Sequence, residues 1–81
     1  MDTATSDPRP IVTIEISRAE ALVLFDALAR YADRGGDSLL IEHEAEKRVL
    51  AGLLCVLEKQ LAEPISADYQ TLLSQARAEL L

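Results

Sequence analysis

Eighty-one residues with one cysteine make a single small domain that neither a disulfide nor a Cys-rich metal site can staple. Such a domain buries only roughly 60–65% of the surface its unfolded chain exposes, so with 49% apolar residues, association is the remaining common route to stability. The net charge of −6 argues against nucleic acid, which is bound by basic faces, and suits a solvated surface or a basic protein partner.

Residues 1–10, MDTATSDPRP, hold two prolines, three small hydroxyl residues and charges of both signs, and read as a disordered tail. They contain no apolar core of a secretory signal. The strongest apolar run, VLAGLLCVL at 49–57, is too short to span a bilayer. With one unpaired cysteine, these features set the expectation of a cytoplasmic protein with no membrane partner. Residues 11–81 are expected to form one mainly helical domain carrying a single N-terminal β-strand, an α+β chain of one strand and three helices.

The strand is IVTIEI, residues 11–16. Val12, Ile14 and Ile16 point to one face, and Ile11, Thr13 and Glu15 to the other, which is the alternation of a half-buried strand. Ser17-Arg18-Ala19-Glu20 then matches a capping box, so a first helix is expected from about Arg18 to Asp33. Its apolar arc holds Ala21, Leu22, Leu24, Phe25, Leu28, Ala29 and Ala32. Glu20, Asp26, Arg30 and Asp33 form its polar side. A helix this apolar is central or lies at a subunit interface.

Gly35-Gly36 breaks that helix, and Asp37 or Ser38 is placed to cap the next. SLLIE at 38–42 is compatible with a short strand or a first helical turn. A second helix covers about Glu44 to Ala62, with an apolar arc of Ala45, Val49, Leu50, Leu53, Leu54, Val56, Leu57 and Leu61. Gly52 inside it costs roughly 1 kcal/mol relative to Ala, and close approach of another helix is one reason for such a glycine. Pro64 ends the helix. A third helix, about Ala67 to Leu81, carries the stripe Tyr69, Leu72, Leu73, Ala76 and Leu80.

A lone strand leaves its backbone donors and acceptors open. Three partners fit: SLLIE in the same chain through a βαβ crossover, the same strand of a second chain across a two-fold axis, or the sheet edge of another protein. The second also accounts for the over-apolar first helix. It makes Val12, Ile14, Ile16, Leu24, Phe25 and Leu28 the expected interface of a homodimer.

The order strand, helix, turn, helix, carried by VTIEIS (12–17), FDALAR (25–30), GGDS (35–38) and Ile41, resembles ribbon-helix-helix DNA-binding regulators over about residues 11–56. The resemblance implies a dimer joined by paired strands, with the outward Ile11, Thr13 and Glu15 reading the major groove. An acid such as Glu15 is poorly suited to a phosphate-lined groove, although it can accept from a cytosine amino group. The first helix is also longer than that family's, and a third helix is added.

Candidate chemistry is sparse. Glu42, His43 and Glu46 head the second helix, and a histidine between two acids spaced i, i+4 is a weak metal-ligand set. Acids at a helix N-terminus that complement the helix dipole explain the same residues. Cys55 lies twelve residues beyond His43, about 18 Å along one helix, so the two do not form a dyad within a chain. Lys47, Arg48 and Lys59, interleaved with Glu44 and Glu58, read as an ion-paired outer face, as does Arg77 with Glu79. Tyr69 reads as a core residue with its hydroxyl at the edge. No phosphate loop, nucleotide fingerprint or triad order is present. The expectation is a non-enzymatic interaction or regulatory protein with no cofactor, whose first partner is itself and whose second is another protein. A ribbon-helix-helix-like regulator or antitoxin and a weak metal binder are the alternatives.

Overall fold

The computed structural model describes residues 10–35 and 41–81, and these are mainly helical. Helix α1 spans Arg18–Asp33, as its cap dictates. The Glu20 N–H donates to Ser17 Oγ at 3.0 Å, and the Ser17 N–H donates to Glu20 Oε1 at 2.7 Å. Two of the orphan donors at the helix start are thereby satisfied reciprocally. At the other end the Gly35 N–H donates to the Ala32 carbonyl, and Gly35 takes a φ of 73°, the left-handed region that a residue without a Cβ enters at little cost.

Helix α2 spans Glu44–Gln60. Of the expected caps, Asp37 and Ser38 lie outside the described residues. The residue in the capping position is His43, whose Nδ1 accepts from the Ala45 N–H at 3.0 Å. Most of SLLIE also lies outside the described residues, while Ile41 and Glu42 belong to no helix or strand. The helix stops two residues short of Ala62. Leu61 turns to extended geometry and buries its side chain, and a single 3₁₀ turn, Glu63–Ile65, takes the chain around Pro64. Pro64 disfavours helix in the residue before it, so the α-helix cannot run into the turn. Helix α3 spans Tyr69–Leu80, with Ser66 Oγ accepting from the Asp68 N–H in the turn before it.

Helix α1 is the central element and packs against both α3 and α2. The core is its stripe Ala19, Leu22, Phe25 and Leu28 meeting Leu73 and Ala76 of α3, Leu57 of α2, and Leu61. Leu73, 1% exposed, is the deepest side chain among the described residues. The bidentate pair of Arg18 Nε and NH2 with the Glu63 carboxylate, at 2.7 and 3.0 Å, ties the start of α1 to the 3₁₀ turn.

The apolar arc of α2 is only partly used. Leu57 is buried and Leu50, Leu53 and Leu54 are half-buried, but Val49 is 68% and Val56 54% exposed. Gly52 is not explained by close helix approach: a Cβ built there meets nothing within 4 Å, and the position faces solvent. Among the described residues there is no strand. Residues 11–16 belong to no helix, and no partner for their backbone groups occurs among the described residues.

Candidate functional site

The segment leading into α1 carries the most exposed apolar run of the described chain. Val12 is 89%, Ile14 69% and Ile16 43% exposed, and Ile11 is also open to solvent. Isolated apolar side chains on a surface are ordinary, but a contiguous set beside unbonded backbone marks an interaction surface.

Ser17 is held in extended geometry by the capping box, and the residues just before it lie beside the C-terminal half of α2. Between the two lies a groove of about 650 Å³, walled by Ile14, Glu15 and Ile16 on one side and by Leu53, Val56 and Leu57 on the other, with Arg18 and Gln60 also at its wall. A smaller hollow of about 390 Å³ lies farther toward the start of α2, against Ile41, Ala45, Val49 and Leu50. Val49, Leu53 and Val56 recur at i, i+4 and i+7, so both hollows border one apolar side of α2, distinct from its charged face of Glu44, Lys47, Arg48 and Glu58.

The six expected interface residues divide. Val12, Ile14 and Ile16 stand exposed, Leu24 is half-buried, and Phe25 and Leu28 are inside the chain's own core. The α2 residues Leu53 and Val56, absent from that expectation, border the groove. Their signal in the sequence was the unusual breadth of the α2 apolar arc.

The polar candidates serve local structure. Glu46 Oε1 accepts from the Glu42 N–H at 2.9 Å, and His43 caps α2. Both acids and the histidine are exposed, and no group of three His, Cys, Asp or Glu residues suited to a metal ion occurs among the described residues. Cys55 is exposed on α2.

One polar cluster was not anticipated. Asp26 of α1 accepts from Tyr69 Oη at 2.9 Å, from Arg30 Nε at 2.9 Å and from an Arg77 guanidinium nitrogen at 3.2 Å. Burial raises the Asp26 pKa, but the hydrogen bonds from Tyr69 and Arg30 and the charges of Arg30 and Arg77 more than offset it. The result lies below the ordinary 3.8. The Tyr69 phenol is pushed up to about 12, first by burial and then by its bond to the Asp26 carboxylate. Glu63 is likewise lowered, first by a bond from its own backbone N–H and then by Arg18. Asp26, Arg30, Tyr69 and Arg77 are paired with one another as a clamp between α1 and α3, while Glu63 pairs with Arg18 at the 3₁₀ turn. Arg77, expected on an outer face with Glu79, belongs to the clamp.

No family model, no curated protein and no solved structure matches this chain. Among the described residues no helix is long and apolar enough to cross a membrane.

Proposed function

We propose that this chain is a small non-enzymatic interaction or regulatory protein that acts as a homodimer, with the segment 11–16 pairing as a strand with the same segment of a second copy. The observation that carries the reading is the exposed set Val12, Ile14 and Ile16, on backbone with no hydrogen-bond partner among the described residues, with Ile14 and Ile16 beside the open groove along α2. A strand edge of this kind invites pairing with another strand, and an antiparallel two-fold pairing is self-complementary. An isolated two-stranded ribbon is only marginally stable, and the α2 groove supplies the apolar surface for it to pack on. In this reading the charged face of α2 stays in solvent and is available to a further protein.

Light scattering on a sizing column at micromolar concentration tests the proposal. A mass of two chains is the expected result, and a mass of one chain overturns it. The ribbon-helix-helix alternative shares the dimer but needs cations beside the ribbon. Arg18, the described cation nearest it, is engaged by Glu63 through two hydrogen bonds, which favours the non-DNA reading. Retardation of duplex DNA at low salt, weakened by Arg9→Ala or Arg18→Ala, would reverse that preference.

A further inference from the structure

Resting on the homodimer reading above, we infer that the two copies pair in one register, with Ile14 facing the partner's Ile14 on the two-fold axis and the combined apolar face closing over the α2 grooves of both chains. A two-fold axis normal to an antiparallel ribbon leaves each residue and its copy on the same face. Residues that face each other must therefore share parity along the strand, and one residue must face itself. The choice of register reduces to which residue that is.

The chain limits the choice from both ends. Pro10 has no N–H to give to a ladder, and proline sits at the edge or first position of a strand. Ser17 is the cap of α1, and its N–H is already taken by Glu20. The Ser17 carbonyl likewise accepts from the Ala21 N–H, so the backbone free to pair is 11–16, and Ile14 is the residue that can sit on the axis with Val12 and Ile16 on either side of it. Centred there, Val12 faces the partner's Ile16, and Thr13 faces the partner's Glu15. The apolar and polar alternation is symmetric about the same point, with aliphatic residues at 12, 14 and 16 and polar ones at 13 and 15.

Neighbouring registers conflict with these residues. Centring on Glu15 sets two carboxylates directly opposite each other, which is destabilising, and brings Val12 against the helical Arg18. Centring on Thr13 sets Ile11 opposite the partner's Glu15 and leaves Ile16 opposite the partner's Pro10, so aliphatic and polar positions no longer match across the pair. With Ile14 at the axis, six aliphatic side chains line one face. In each chain Ile14 and Ile16 border the groove against Leu53 and Val56, with Glu15 between them also at its wall, so closing the ribbon turns Glu15 away from α2.

Cysteine cross-linking reads the register. All variants carry Cys55→Ser, because Cys55 is exposed. Facing residues of an antiparallel pair lie about 4.5–5.5 Å apart at Cα, within disulfide reach, whereas positions offset by two residues lie beyond it. Under oxidation, Ile14→Cys is expected to form covalent dimers. Thr13→Cys alone and Glu15→Cys alone are expected to stay unlinked, while an equal mixture of those two links in mixed pairs. The mixture uses the polar face, so it reads the register even if Ile14→Cys fails to fold. Linking by Thr13→Cys or Glu15→Cys alone overturns the register, as does a two-chain mass by light scattering with no linking in any combination. A one-chain mass for the parent protein overturns the homodimer reading itself and the register with it.

Discussion

The Tyr69 phenol of α3 donates a 2.9 Å hydrogen bond to Asp26 Oδ1 of α1, and Arg30 and Arg77 bond the other oxygen of the same carboxylate. The bond crosses the pairing of α1 with α3, the most extensive helix pairing among the described residues. Hydrogen bonds to charged groups contribute more than neutral ones, and partial exposure reduces the effect, so Tyr69→Phe is expected to cost about 1 kcal/mol. Urea unfolding followed by circular dichroism measures it. No change in the midpoint would mean that the bond is replaced by water without loss.

The same clamp sets the response to pH. Asp26 has a folded pKa below its ordinary 3.8, so it contributes stability above that value and loses it as pH falls through the lower folded one. Glu63 acts in the same direction below its ordinary 4.5. Tyr69 has the opposite sign. Its contribution is complete below pH 10 and is lost as pH rises through about 12. Melting temperature against pH should therefore fall at both ends. Asp26→Asn is expected to make the acid limb shallower, and Tyr69→Phe to remove part of the alkaline one.

Tyr31 is the counterexample to Tyr69 on the same helix. Its hydroxyl is buried and meets no hydrogen-bond partner among the described residues. A buried polar group left unbonded carries its desolvation cost with no return, so Tyr31→Phe is expected to be neutral or to stabilise by up to about 1 kcal/mol. A loss of stability comparable to that of Tyr69→Phe would show that the hydroxyl has a partner in solution.

Gly52 lies inside α2, exposed, with nothing within 4 Å of the Cβ position. Alanine there gains helix propensity without a clash, and Gly52→Ala is expected to raise stability by about 0.5–1 kcal/mol. The readout is the urea midpoint at fixed protein concentration. A decrease instead would show that another chain approaches α2 closely at this position.

Local signals made much of the helical frame readable before the structure. The capping box at Ser17 and Glu20 placed the start of α1, and its apolar period placed Leu22, Phe25 and Leu28 inside. Pro64 announced the end of α2, although the helix yields at Leu61 because that side chain turns into the core. The Asp26 clamp was not readable. Its i, i+4 partner Arg30 is local, but Tyr69 and Arg77 come from forty and more residues away, and no periodicity records which face of α3 meets α1. Nor could the sequence divide the apolar surplus of α1 and α2. Hydrophobic period names an arc, and only packing shows that Phe25 and Leu28 are covered within the chain while Val49 and Val56 are left open.

The proposed pairing makes thermal stability depend on protein concentration, because dimerisation stabilises the folded chain by mass action. Melting temperature should rise as the protein is concentrated from the micromolar range upward. Ile14→Lys places a charge in the apolar face of the ribbon, where Ile14 is 69% exposed in the single chain. The lysine is accommodated in a monomer, since little of the Ile14 side chain is buried there, but not in a closed ribbon, where two ammonium groups would meet. The variant is therefore expected to keep its helical circular dichroism, lose the concentration dependence and elute at the mass of one chain. Loss of helical signal at all concentrations would show instead that the segment 11–16 is needed for the chain's own helices to hold together.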